Sequence, residues 1–194
     1  MIRSLLLAAS CALALSTAAV AAPVTVAGVK YDDAAQVANS KLVLNGAGLR
    51  MKAIFKVYTA ALYLPAKAST PEAVIAQPGP KRMHIVMLRE INAAELGKLF
   101  ARGMEDNAPR EEFSKSVAGV LQMSDLFFQY KKLAAGDYFT ADWVPGTGTV
   151  ISINGKAAGQ PIKEPEFYSA LLKIWLGKSP ADTLLKEGLL GRTE

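Results

Sequence analysis

Three side chains of unlike chemistry lie within one short stretch of the sequence: Arg50, Tyr58 and Thr59, in Gly48-Leu49-Arg50-Met51-Lys52-Ala53-Ile54-Phe55-Lys56-Val57-Tyr58-Thr59. A guanidinium offers a fixed fork of donors that suits a carboxylate or a phenolate. A phenol or a hydroxyl beside it supplies a second donor. Arg50 follows a glycine-containing stretch, Asn45-Gly46-Ala47-Gly48, that reads as a turn, and Tyr58 and Thr59 lie in an apolar strand. Neighbouring residues of a regular strand point to opposite faces, so at most one of Tyr58 and Thr59 stands beside an apolar ligand. On the residues alone, the plainer account is a surface arginine, an edge tyrosine and an ordinary strand threonine. An anion-holding cluster is the alternative.

Other routes to chemistry are closed off by what is missing. The only histidine, His84, sits in a strand, and no Gly-x-Ser-x-Gly elbow accompanies it, so a hydrolase triad is not supported. One histidine and one cysteine leave little for a transition metal, and neither a metal nor a cofactor is expected. Gly177-Lys178-Ser179 lacks the glycine a phosphate loop needs five residues earlier, where Leu172 stands, and it runs into Pro180. Gly146-Thr147-Gly148 joins two strands and opens no helix, unlike a dinucleotide fingerprint. The basic pairs Lys81-Arg82 and Lys131-Lys132 lack interleaved aromatics and read as solvated surface, not as a nucleic-acid interface.

The 194 residues are 51% hydrophobic and 20% charged, which excludes disordered and low-complexity classes and suits a single domain. Residues 1–21 read as a signal peptide and 22–194 as the folded domain. Met1-Ile2-Arg3 is a short basic start, Ser4 to Ser16 an apolar run, and Ala19-Val20-Ala21 a site for signal peptidase. The competing reading, an uncut anchor, needs about 20 apolar residues and a charged stop that this segment lacks. Cleavage after Ala21 leaves 173 residues in which 21 basic side chains face 17 acidic ones, a net charge of +4. It also removes Cys11, which lacks a lipobox setting, so the exported chain has no thiol and no disulfide. The expected compartment is the periplasm, with no membrane span once the leader is gone.

The elements that must position Arg50, Tyr58 and Thr59 fall into groups. Val24 to Leu64 is β-like, and Ile54 to Leu64 forms a strand stopped by Pro65. Thr70 caps a short helix with Pro71 at its first position. Lys81 to Arg89 is a strand with Met83, Ile85 and Met87 on one face. Asn92-Ala93-Ala94-Glu95 opens a helix like a capping box. A second helix from Arg110 turns Phe113, Val117, Val120, Leu121 and Phe128 to one side. Asp137 to Trp143 and Thr149 to Ile153 are strands, and Asn154-Gly155 signals a hairpin. Helices from Pro165 to Gly177 and from Asp182 to Gly188 end the chain. Strands in groups, joined by hairpins and separated by grouped helices, predict an α+β fold with a largely antiparallel sheet.

Within this order the chain resembles the chalcone-isomerase superfamily. The resemblance rests on Gly48-Leu49-Arg50, on Lys56-Val57-Tyr58-Thr59-Ala60-Ala61-Leu62-Tyr63-Leu64, and on Met87-Leu88-Arg89-Glu90. Toward the C-terminus it adds Trp175-Leu176-Gly177-Lys178-Ser179-Pro180 and Leu184-Leu185-Lys186-Glu187-Gly188-Leu189-Leu190-Gly191, which look like the bacterial, exported branch. It implies an open-faced β-sandwich, a large antiparallel sheet covered on one face by helices. Plant enzymes of the superfamily close a flavanone ring with an Arg, a Thr, a Tyr, an Asn and a further hydroxyl residue. Arg50 and Thr59 match the first two. Leu96, Gly103 and Ile174 stand where the other three are expected.

Enolate-directed donors are each worth a few kcal/mol, so losing several lowers a rate by many powers of ten. What the resemblance leaves is a positive fork beside an apolar cleft. The superfamily's fatty-acid-binding members use an Arg and a Tyr for the carboxylate, for which Arg50 and Tyr58 are the counterparts here. The expected function is therefore a non-catalytic binder of a small amphipathic or phenolic carboxylate, such as a fatty acid. Arg50 would be the anchor and Tyr58 or Thr59 the second donor, with Arg89 a weaker alternative anchor. Two rivals stand beside it: an isomerase acting on an enone, and a ligand-free interaction protein.

Overall fold

The computed structural model describes residues 23–192, so the expected signal peptide lies outside the described residues. The chain opens with β1 (Val24–Val26), β2 (Val29–Tyr31), β3 (Ala34–Val37), β4 (Ser40–Lys52) and β5 (Phe55–Leu64). The short helix α1 (Pro71–Ala76) leads to β6 (Lys81–Met87) and β7 (Ile91–Asn92). Helices α2 (Ala93–Asn107) and α3 (Arg110–Gln129) follow, then β8 (Lys132–Leu133), β9 (Tyr138–Val144), β10 (Gly148–Ile153) and β11 (Lys156–Ala157). Helices α4 (Pro165–Leu176) and α5 (Thr183–Leu189) complete it.

Seven strands pair antiparallel in the order β11-β10-β9-β6-β5-β4-β3, and β1–β2 and β7–β8 form two small ladders. Alternation along the strands gives the sheet two unlike faces. Tyr58, Ala60, Leu62 and Leu64 of β5 and Met83, Ile85 and Met87 of β6 join Phe100, Phe127, Phe167 and Trp175 in the main core beneath α2, α3 and α4. The opposite face carries a smaller cluster, Leu42, Leu44, Ala61 and Tyr63, onto which Tyr31 of β2 folds. This is the α+β, largely antiparallel fold that the element order predicts, with the helix-covered sheet that the resemblance implies. The Thr70 and Asn92 caps and the Asn154-Gly155 hairpin, both of whose residues have positive φ, form as read.

Two expectations need correction. Asn45-Gly46-Ala47-Gly48 is not a turn; β4 runs straight through it, with a register shift between Leu44 and Gly46. The glycines are there because α5 lies directly on the strand. A Cβ on Gly46 would collide with the Gly188 carbonyl, and one on Gly48 would press on Leu185. The actual β4–β5 turn is at Ala53 and Ile54, where Ala53 takes φ +52°. On α3, the inward face is Ser116, Gly119, Val120, Met123, Leu126 and Phe127. A Cβ on Gly119 would overlap Ile162 and Phe167, so the helix approaches through its small residues. The predicted stripe is rotated toward solvent, leaving Phe128 75% exposed.

Candidate functional site

Arg50 and Tyr58 are directly opposed residues in the β4–β5 ladder. Cross-strand partners share a face of the sheet, so both project toward the helices, near one end of it. Thr59 pairs with Leu49 and faces the other way. It is fully buried, and its hydroxyl shares a 2.7 Å hydrogen bond with the Tyr31 hydroxyl. Thr59 is thus a strut between the sheet and β2 and does not line the cavity that Arg50 and Tyr58 share. This corrects its place among the predicted donors, for the reason strand alternation gave.

That cavity measures about 260 Å³ and opens between β4–β5, α2 and α4. Its wall is largely apolar, with Val57, Ile91, Leu96, Leu99, Phe100 and Ile174, and Arg50 and Tyr58 stand at one side. The three positions expected to hold the superfamily's other polar groups, Leu96, Gly103 and Ile174, all line this cavity. Gly103 is where α2 meets α4 closely: a Cβ there would lie 3.2 Å from Ile174 Cγ2.

The Arg50 side chain is 24% exposed. Nη1 donates to the Met51 carbonyl and lies 3.6 Å from Asp182 Oδ2, an ion pair longer than a hydrogen bond. The carboxylate of Asp182 is occupied elsewhere. Oδ1 accepts from Leu185 N at 3.1 Å as the cap of α5, and Oδ2 accepts from Met51 N at 3.0 Å. Asp182 therefore steadies the guanidinium and leaves most of its five donors uncommitted.

Tyr58 is 4% exposed, and its hydroxyl oxygen accepts from Trp175 Nε1–H at 2.9 Å. The indole can only donate, so the tyrosine must keep its own proton free to donate in turn. Burial pushes the Tyr58 hydroxyl up to about 12, against the smaller lowering effects of Trp175 and Arg50. It is a neutral donor at any physiological pH. Trp175 and Asp182 are the site residues the sequence reading missed. Both lie more than 100 residues from Tyr58 and Arg50, and no short-range pattern announces either contact.

Arg89 does not line this cavity; its guanidinium carbon lies 4.8 Å above the Phe55 ring at the β4–β5 turn. His84 also faces away from the helices, between the rings of Tyr31 and Tyr138. A larger cleft, about 510 Å³, lies near α3 and α4, but Glu111 and Glu112 on its rim are already paired with Lys115 and Lys173. Among the described residues no cluster of His, Cys, Asp and Glu could hold a metal, and no helix is long and apolar enough to cross a membrane.

Residues 23–191 match the model of a family described as chalcone isomerase-like. Among solved structures, a fatty-acid binding protein of Arabidopsis thaliana superposes with a TM-score of 0.67. The identity is 15%, and the match covers 84% of this chain and 92% of that one, a likeness of fold. A search of curated proteins returned no sequence match.

Proposed function

Because the chain belongs to the chalcone isomerase-like family, we propose that it is a non-catalytic binding protein for an amphipathic carboxylate of the fatty-acid class. The observation that carries this reading is the pairing of Arg50 and Tyr58 across β4–β5 on one side of a largely apolar cavity, whose lining also includes Lys52, Arg102, Asp106 and Ser179. A guanidinium with spare donors and a phenol that must donate make a two-point clamp for a carboxylate. The apolar walls receive the chain behind it. The fold shared with a fatty-acid binding protein supports the same ligand class.

Ring closure on an enone would need donors where Leu96, Gly103 and Ile174 supply hydrocarbon or a bare backbone, which weighs against an isomerase. Residues 1–21 support a periplasmic location. Detection of a form beginning at Ala22 in the periplasmic fraction, by intact mass, tests that part.

The binding reading is tested by solvent extraction of the purified protein with mass spectrometry of the extract, followed by displacement titration with a fluorescent long-chain carboxylate. Bound lipid, saturable binding, and an Arg50→Ala affinity lower by about tenfold to a hundredfold are expected, the range for a charge-assisted hydrogen bond. Absence of affinity for long-chain carboxylates overturns the reading. So does conversion of a chalcone that Arg50→Ala abolishes.

A further inference from the structure

The β4–β5 turn presents to solvent what a folded protein normally hides. Ile54 is 82% and Phe55 53% exposed, side by side at the tip. Neither has a covering element. The turn is not flexible filler: Lys52 and Phe55 pair across it and Ala53 is held at φ +52°, so the two apolar side chains sit on a defined projection. Leu99 of α2, half exposed, adds a third apolar side chain on the cavity rim.

The charges nearest the tip are mostly cationic. Lys52 and Lys56 flank Ile54-Phe55 in sequence, and Arg89 stacks on the Phe55 ring. All three are exposed, and none is ion-paired with a carboxylate among the described residues. The neighbouring Glu90 is already paired with Lys132. Lys52 and Val57, on either side of the tip, line the cavity itself. An apolar point flanked by cations, at the rim of a largely apolar cavity, has the chemistry of an interfacial anchor for an anionic bilayer. The apolar side chains enter the headgroup boundary and the cations meet lipid phosphates.

We propose that the Lys52–Lys56 hairpin tip docks this protein on an anionic lipid surface with the cavity mouth facing the bilayer. Docking stands on the tip alone. Its use, passing a fatty-acid-like ligand between bilayer and cavity without crossing water, rests on the binding function proposed above.

The test uses protein expressed from the full-length chain, with its N-terminus read by intact mass. An Ile54→Trp variant is mixed with vesicles of phosphatidylcholine alone or with a third phosphatidylglycerol. Either composition is prepared with and without brominated acyl chains. Trp175 is buried and Trp143 half-buried, so the parent protein supplies the background signal. Expected are a blue shift and bromine quenching of the new indole on anionic vesicles, both reduced in 0.5 M salt.

In the parent background, Ile54→Ser with Phe55→Ser is expected to weaken vesicle partitioning about tenfold or more. Lys56→Glu with Arg89→Glu, neither of which lines the cavity, should weaken it at least as much, since each cation near such a surface is worth about fivefold. Both pairs should keep the parent's affinity for a fluorescent fatty acid in free solution. Absence of quenching overturns the proposal, as does quenching equal on neutral and anionic vesicles. Self-association lost in the serine variant, without vesicle binding, would assign the tip to a second copy of the chain and also overturn it. Docking by a protein that binds no fatty acid would sink the proposed function and leave docking intact.

Discussion

Tyr58 contributes more than a hydroxyl in the cavity wall. Its oxygen satisfies the indole of Trp175, a side chain that is 1% exposed and has no other hydrogen-bond partner among the described residues. Tyr58→Phe therefore does two things at once. It removes a donor from the cavity, and it leaves a buried N–H unsatisfied, which costs about 1–3 kcal/mol. Chemical denaturation should show a loss in that range, together with weaker carboxylate binding, whereas Arg50→Ala should weaken binding with a smaller stability loss. His84 makes a separate prediction on the other face. Burial, and then the nearby Arg82 charge, lower it to about 4 from an ordinary 6.5. Between those values the unfolded chain binds the proton and the folded one does not, so stability falls as pH drops from about 6.5 to about 4. The loss should be on the order of 2 kcal/mol and should flatten in His84→Gln, as followed by urea midpoints at pH 7 and pH 4.5. At this scale Arg50 and Tyr58 were legible as a pair only through the family resemblance, since strand alternation separates Tyr58 from Thr59 without choosing between them. The sequence could not show Trp175 or Asp182, whose contacts come from tertiary packing.

Among the elements, α5 braces β4 beside the site, with Asp182 at its cap next to Arg50. It has only seven residues, too few to persist alone, and it is kept in place by close contact with β4 and by the Asp182 cap, whose other carboxylate oxygen accepts from Met51 N. Gly46→Val should lift α5 from the strand because the added carbons meet backbone, not a movable side chain. A stability loss above about 3 kcal/mol is expected from urea unfolding, in the upper range for overpacking. Early amide exchange should follow in residues 183–189. Glycine in sequence reads first as a turn, and that is why β4 was misplaced at Asn45-Gly46-Ala47-Gly48. The need for close approach by α5 becomes visible only once the helix is docked. The same cause rotated α3: Ser116 and Gly119 look polar or neutral in a hydrophobicity pattern, yet they mark the inward face because only small residues fit there. Caps, the Asn154-Gly155 hairpin and the alternation of β6 are set by neighbours in sequence, and these were readable.

At the level of the whole molecule, the antiparallel sheet divides two functions between its faces. One face, with Thr59, Tyr31 and His84, is closed by short polar and aromatic contacts. The other, beneath the helices, is packed through most of its area and opens where Arg50 and Tyr58 meet α2 and α4, and again at the larger cleft by α3 and α4. The grouping of strands and helices made this architecture legible from sequence; the cavity's position was not, since it depends on how α2 and α4 close over the sheet. The claim on which the account turns is that a ligand carboxylate sits against the Arg50 guanidinium. It is tested most directly by a ¹³C NMR pH titration of a long-chain fatty acid labelled at its carboxyl carbon, bound to the protein at low salt. A neighbouring guanidinium favours the ionised form, so the bound carboxyl should titrate at least one pH unit below its value in Arg50→Met. A bound carboxyl that titrates identically in the two proteins would place the ligand elsewhere and contradict the account.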